Sequence, residues 1–280
     1  MSNEKFADLH LHTTFSDGSW TPTEVVLHAL EKNLSAIAIT DHDTVDGIAE
    51  AMSAAKGKNI EVIAGLELSS FCEDLPKKEI HILGYFVDYE SSKFKQVLAD
   101  LKAERQKRAL DIFNKLKENG AQIKDDSFMK NSNQVIGRLH FAKALMVQGV
   151  VSNTQEAFYR FLGQNSPAYV PKKMLEAAEA VSLIKKAGGI PVLAHPFASR
   201  CDKNYVEKMI DKGIEGIEVW HIKQEKRHSN VFIEWAKEFG LIETGGSDCH
   251  GDFDGKGSEA MGRVKVPYII VENLQRRLRT

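Results

Sequence analysis

The chain has 280 residues, 42% apolar and 27% charged, the mix of a globular protein able to bury a sizeable core in one large or two small domains. Its 37 Lys and Arg nearly balance 39 Asp and Glu, and the net charge of −2 argues against a protein built to bind long nucleic acid or an anionic membrane. Three cysteines, Cys72, Cys201 and Cys249, make no disulfide framework and no CxxC pair, which points to a reducing, cytoplasmic setting.

No signal peptide is expected in the short polar stretch at residues 1–6, and no apolar run reaches the roughly 18 residues of a membrane span. A first strand is predicted at 6–12. Thr21-Pro22-Thr23-Glu24 then opens a helix as a capping box with Pro at the first helical position. Strands follow at 36–40, 61–68 and 79–86, with Asp43 placed to cap the helix after the second. Most of these runs are apolar on both parities, as strands buried on both faces are. The alternation breaks between 92 and 170. A long charged helix there carries Phe94, Leu98, Ile112 and Leu116 and ends at Gly120, and shorter helices fit 138–148 and 154–162. A helix over 174–187 stops at Gly188-Gly189, and strands at 190–195, 217–220 and 241–244 complete the set. Alternating strands and helices imply a mostly parallel α/β sheet, open or closed into a barrel.

Ten histidines are present, and they are not evenly scattered. In Asp8-Leu9-His10-Leu11-His12 the even residues share one strand face, so two imidazoles can reach one ion. Asp17 lies in the following loop. Asp41-His42-Asp43, Glu67, His81, His195 and Asp248-Cys249-His250 also fall at or near strand ends, where parallel α/β folds place their sites. Any one of these histidines reads as an ordinary core or surface residue. The whole set does not, because burying so many imidazoles and carboxylates without a metal carries a large desolvation cost. Nitrogen and oxygen donors of this kind suit zinc, iron or manganese, and their number suggests two or three ions.

The motifs HLHTTFSDG, ITDHDT, GLELS, HILGYF, LAHP and GGSDCHG, in this order, resemble the polymerase and histidinol phosphatase (PHP) family of metal-dependent phosphoesterases. IGRLHFAKAL, EAFYRFLGQNSPAYVPK, AGGIPVLAHP and GIEVW are similar to the subgroup of nucleoside 3′,5′-bisphosphate and AMP phosphatases, which includes a 5′→3′ exoribonuclease. The resemblance implies a distorted seven-stranded (β/α)7 barrel. Its two parts would be residues 1–91 and 171–280, with a helical, substrate-recognising insertion at 92–170. It also implies that His10, His12, Glu67 and Asp248 bind one divalent ion, with Glu67 bridging to a second held by His81 and His195. Asp17, His42 and His250 would hold a third. Manganese is the expected metal, with zinc or iron as alternatives.

In such a centre the nucleophile is a hydroxide held by the ions at Glu67 and Asp248, and no side chain is expected to attack. Asp8 reads either as a carboxylate orienting His10 or as one bonded to backbone. Arg138 and His140 in the GRLHF motif, Lys172, and Arg200 five residues beyond His195 are the candidate substrate contacts, though each alone also reads as a solvated charge. Arg105 and Arg108 are expected on the solvated face of their helix, and His28 is expected to have no role. Cys249 should point away from the ions, and Gly245-Gly246 should let backbone pass close to them. The loop at 221–228, His-Ile-Lys-Gln-Glu-Lys-Arg-His, is heavily basic where the subgroup has a short polar loop.

The expected activity is hydrolysis of a phosphate monoester on a small nucleotide, the 3′-phosphate of a nucleoside 3′,5′-bisphosphate. The alternatives are 5′→3′ trimming of short 5′-phosphorylated RNA and, from another class, a regulatory metal-binding module without turnover. Neither a membrane nor long DNA is an expected partner.

Overall fold

Each of the seven apolar runs forms a strand in the computed structural model, which describes residues 4–73, 79–130, 134–252 and 260–279. They are β1 (Phe6–Leu11), β2 (Ala36–Ile39), β3 (Glu61–Phe71), β4 (Ile80–Tyr85), β6 (Ile190–Leu193), β7 (Gly216–His221) and β8 (Ile242–Gly246). Two-residue strands, β5 (Leu175–Glu176) and β9 (Val266–Pro267), join them without a strong apolar signal of their own. The order across the sheet is β8-β7-β6-β4-β3-β2-β1-β9, with β5 beside β3. The strip then curls so that β8 returns to β1. His12 N–H donates to Cys249 O at 3.0 Å, and Leu11 pairs with Cys249 in a parallel bridge. The result is a nearly closed α/β barrel.

The sheet is parallel except at β4, which runs antiparallel to both β3 and β6, and at β9, which is antiparallel to β1. The reversal of β4 positions the site. It brings the start of β4 to the rim where β1, β2, β3, β6, β7 and β8 end, so His81, at a strand's beginning, joins residues from the ends of the others.

Outside the sheet lie α1 (Pro22–Glu31), α2 (Ile48–Ala55), α7 (Ala177–Lys186), α8 (Lys203–Asp211), α9 (Lys226–Phe239) and α10 (Ile269–Arg277). The capping box of α1 is present as its sequence requires, with Thr21 accepting from Glu24 N–H and Glu24 accepting from Thr21 N–H. Alternation along β2 sends Ile37 and Ile39 into the core shared with Val25, Ile48 and Ala51 of these helices. Ala36 and Ala38 take the opposite side, with Leu9, Ile63, Leu83 and Tyr85.

Residues 92–170 form α3 (Ser92–Glu118), α4 (Ser127–Lys130), α5 (Arg138–Val147), α6 (Thr154–Ala157) and a π-helical turn at Phe158–Leu162. The first turns of α3 bury Phe94 and Leu98 in the barrel's core, whereas Ile112 and Leu116 join Phe141, Leu145 and Leu162 in a separate core. Gly120 ends α3 at φ 74°, a conformation that favours glycine.

Two local expectations change. Asp43 does not cap α2, which starts from Gly47 without a side-chain cap. Its Oδ1 accepts Ser69 N–H at 2.9 Å and its Oδ2 pairs with Arg105. Arg105 and Arg108 are accordingly buried rather than solvated, because α3 crosses the rim of the barrel and aims this part of its length inward. Among the described residues no helix is long and apolar enough to cross a membrane.

Barrel closure depends on a missing side chain. A Cβ at Gly246 would lie 2.4 Å from both Cβ and N of His10, so only glycine lets β8 approach β1. Gly246→Ala is expected to destabilise the fold by at least about 1–3 kcal/mol, the usual range for overpacking, because the opposing atoms include backbone. Chemical denaturation checks this, with a lower midpoint at unchanged slope as the expected outcome.

Candidate metal centre

Glu67 sits at the middle of the rim, 1% exposed, with its two oxygens facing different groups of imidazoles. Oε2 lies 3.4 Å from His10 Nε2 and 3.3 Å from His12 Nε2, and Asp248 Oδ1 completes this group at 3.6 and 3.2 Å from the same nitrogens. Oε1 lies 2.7 Å from His81 Nδ1 and 2.9 Å from His195 Nε2. A third group gathers round Asp17, whose oxygens are 3.3 Å from His250 Nε2 and 3.8 Å from His42 Nε2. His42 also links it to the centre, with Nδ1 3.0 Å from Glu67 Oε2. All nine ligand candidates from the sequence therefore converge on one rim.

The fit to metal rests on atoms that the protein leaves without hydrogen-bond partners. His10 Nε2, His12 Nε2, His42 Nδ1, Asp17 Oδ1, Glu67 Oε2 and His221 Nε2 are buried and unsatisfied. Each such group costs about 1–3 kcal/mol if nothing binds it. Groups of donors that could hold an ion include His10, His12 and Glu67; His42, Glu67 and His81; and His12, Asp17, His42 and His250. Imidazole and carboxylate are suitable donors for a divalent transition metal.

Burial and neighbouring charges set the protonation of the cluster. Burial, helped by the neighbouring His250 charge, pushes His12 down to about 3, so it is the neutral imidazole a metal needs. Burial opposes the charge on His81, but Glu67 and Glu79 outweigh it and lift the imidazole to about 9. His250 reaches about 9 in the same way, against burial, through Asp17 and Asp248. Burial also opposes ionisation of Asp17, Glu67 and Asp248, yet the surrounding imidazoles hold all three well below the usual carboxylate range.

A second layer aims these ligands. Glu218 Oε1 is 3.0 Å from His10 Nδ1, which leaves Nε2 for the centre, and Glu218 Oε2 accepts His195 N–H at 2.6 Å. Asp8 takes the backbone alternative, accepting N–H from Ser247 at 2.8 Å and Gly262 at 3.1 Å. Asp41 shapes the loop that carries Asp17, accepting from Thr13 N–H at 2.7 Å, Thr13 Oγ1 at 2.6 Å and Ser16 Oγ at 2.5 Å. His195 and Asp248 have φ of 25° and 52°, left-handed conformations that local strain permits only where surrounding structure enforces them.

The basic loop also reaches the centre. His221 Nε2 is 3.3 Å and Lys223 Nζ 3.2 Å from Asp248 Oδ2. His221 forms a further donor group with His10 and Asp248. Sequence reasoning missed Glu218, His221 and Lys223, although a charge inside the apolar run GIEVW was a usable signal for the first. Cys249 is buried among apolar residues, away from the centre. His28 stays on the surface of α1 beside Trp20 and Glu31.

The four candidate substrate contacts fall in different environments. Lys172 Nζ donates to Glu79 Oε1 at 2.7 Å and also bonds Ser69. Arg138 is 3.8 Å from Glu79 Oε2, lies against the rings of Phe158 and Tyr169, and donates to Leu162 O at 3.3 Å. Glu79 in turn touches His81 Nε2 at 3.2 Å. His140 is buried and engaged at both nitrogens. Gly137 N–H donates to its Nδ1 at 3.0 Å, and its Nε2 lies 3.1 Å from Ser16 O. Burial pushes His140 down to about 4, in keeping with a neutral ring that ties α5 to the Asp17 loop. Arg200 is exposed beyond His195.

Residues 8–240 match the PHP domain. A 5′-3′ exoribonuclease of Haemophilus influenzae is 38% identical over 87% of this chain and 89% of its own length. A 3′,5′-nucleoside bisphosphate phosphatase of Chromobacterium violaceum is 31% identical over 92% and 91%. A solved structure of a proposed metal-dependent phosphoesterase from Bifidobacterium adolescentis superposes with a TM-score of 0.84 at 29% identity, covering 98% of this chain and 96% of that one.

Wild-type protein purified without chelator is expected to carry at least two transition-metal ions per chain by elemental analysis, on the two-sided arrangement round Glu67. Glu218→Ala is expected to weaken metal affinity about 10- to 100-fold, the usual cost of losing a carboxylate that orients a ligating histidine. Metal titration followed by competition with a chromophoric chelator checks it.

Proposed function

This chain belongs to the PHP domain family and is a metal-dependent phosphoesterase, and from that premise we propose that it removes the 3′-phosphate of nucleoside 3′,5′-bisphosphates. One observation carries the reading. Beside the His81 edge of the centre, Arg105, Arg108, Arg138 and Lys172 are gathered with two carboxylates among the described residues, Asp43 and Glu79. The excess of positive charge is felt by its own members. Burial, then Arg138 and Arg105, pull Arg108 down to about 10, and burial and Arg105 lower Lys172. A phosphate relieves that repulsion. The centre is thus flanked by a second anion site, which a substrate with two phosphates fills and a monophosphate does not.

We assign the nine residues round Glu67 as metal ligands, His221 as a further donor, and manganese as the metal that this nitrogen and oxygen set suits. Bound divalent ions supply Lewis acidity toward a phosphoryl oxygen and lower the pKa of water. The chain's own groups do the positioning. Arg138 and Lys172 hold the 5′-phosphate, the planar guanidinium pairing with two of its oxygens. Phe158 and Tyr169 brace the Arg138 side chain so that little freedom is lost on binding. His140 fixes the 92–170 segment against the Asp17 loop, so anchor and centre keep a set separation. Water then attacks the 3′-phosphorus, the bond to O3′ breaks, and a 5′-nucleotide and inorganic phosphate leave. Cys72, Cys201 and Cys249 are buried and none forms a disulfide among the described residues, which fits a reducing cytoplasm.

Adenosine 3′,5′-bisphosphate is expected to give 5′-AMP and phosphate with higher kcat/KM than 5′-AMP itself. Arg138→Ala is expected to lower kcat/KM for the bisphosphate about 10- to 100-fold, from loss of a charged hydrogen-bonding pair, and to lower that for 5′-AMP less. Its metal content should stay that of the wild type. Product analysis and steady-state kinetics on both proteins decide the matter. Formation of 3′-AMP as main product would reverse the proposed orientation.

A further inference from the structure

The contacts of the 92–170 segment with the barrel described above fall on one half of the rim. Arg105 meets Asp43 after β2 and Ser69 in β3, Arg138 meets Glu79 before β4, and His140 meets Ser16 after β1. Val135 N–H and Lys143 Nζ also donate to Phe15 O and Asp17 O, each at 2.9 Å. The loops after β6 and β7 form the other half, across the metal centre from the phosphate anchor. They carry a different chemistry. Phe197, two residues past His195 and 37% exposed, stacks on His228 with ring centroids 4.0 Å apart and planes 29° apart. The turn beneath it is held by Ser199 N–H to His195 O at 3.2 Å, Arg200 N–H to Phe197 O at 2.9 Å and Cys201 N–H to Pro196 O at 2.8 Å. The same two loops carry exposed Arg200, Lys223, Lys226 and Arg227. The one carboxylate of the 221–228 loop, Glu225, is paired with Arg227 at 3.0 Å.

An exposed ring, pre-set by its stacking on His228 and carried with cations, is what a single-stranded nucleic acid needs, since every base offers a face to stack and every phosphate a charge to pair. We infer that this half of the rim is a track for the RNA nucleotides downstream of the scissile phosphate. Phe197 stacks the first of their bases, and Lys223, Lys226 and Arg227 lie along the phosphates. The inference rests on the reading above, with the 5′-phosphate at Arg138 and Lys172. A 5′-phosphorylated RNA in that pose places its first internucleotide phosphate where the 3′-phosphate of the bisphosphate lies, and its remaining chain runs toward Phe197.

Water attacks that phosphorus and the P–O3′ bond breaks. O3′ leaves with the electron pair and takes a proton, giving a 5′-mononucleotide. The phosphoryl group stays on the downstream nucleotide, so the product is an RNA one residue shorter with a new 5′-phosphate, again a substrate. The two halves of the rim thereby set a 5′→3′ direction.

The test uses the full chain loaded with manganese, with 5′-phosphorylated pentaadenylate and adenosine 3′,5′-bisphosphate as substrates. Wild type should hydrolyse both. Phe197→Ala should raise KM for the pentamer about 5- to 100-fold, the range for losing one stacked base, and shift KM for the bisphosphate far less, while Phe197→Trp retains pentamer binding. The double variant Lys226→Ala/Arg227→Ala, at exposed positions that folding does not need, should flatten the salt dependence of pentamer KM. Equal losses on both substrates in Phe197→Ala, unrescued by Trp, would overturn the inference and leave the loop as a support for His195. So would wild type that hydrolyses the bisphosphate but not the pentamer. Wild type inert toward both would instead defeat the reading of the site itself.

Discussion

A single buried carboxylate has to satisfy more imidazoles than it can. Glu67 is enclosed by His10, His12 and His42 on one oxygen and by His81 and His195 on the other. Five rings crowd one carboxylate, and His10 Nε2, His12 Nε2, His42 Nδ1 and Glu67 Oε2 are left buried without hydrogen-bond partners. In the proposed centre, divalent ions would take these donors as ligands. The surrounding structure serves that convergence. Glu218 fixes the ring of His10 and the backbone of His195 together, and Asp41 bends the loop that delivers Asp17.

Two backbone choices bring the donors within reach. The reversal of β4 carries His81 to the rim from a strand's start. The side-chain-free Gly246 lets β8 close against β1, which sets Asp248 and His250 beside His12. In the proposed function the helical segment would make the centre selective. Its buried arginines are expensive to desolvate, and Asp43 and Glu79 offset part of that cost by sharing the region.

Much of this was legible in the chain. Seven strands could be read from apolar runs because burial on both faces leaves a continuous signal, and the nine ligand-type residues stood out because strand ends concentrate them. The direction of β4 was not legible, since a short apolar run reads the same both ways. Strands β5 and β9 were too short to leave a pattern. Arg105 and Arg108 looked like solvent-facing charges because a long helix with an interrupted apolar stripe hides where it crosses a rim, and that crossing is a tertiary fact. Glu218 and His221 lay in a strand whose apolar neighbours masked them. Lys223 belongs to a loop whose basic composition was visible but whose aim was not.

The account turns on Glu67 serving two metal positions at once. Anomalous diffraction from manganese-loaded crystals reads this directly. Two peaks on opposite sides of Glu67 are expected, one among His10, His12 and Asp248 and the other between His81 and His195. A single peak, or peaks that leave either oxygen of Glu67 without an ion, would contradict it.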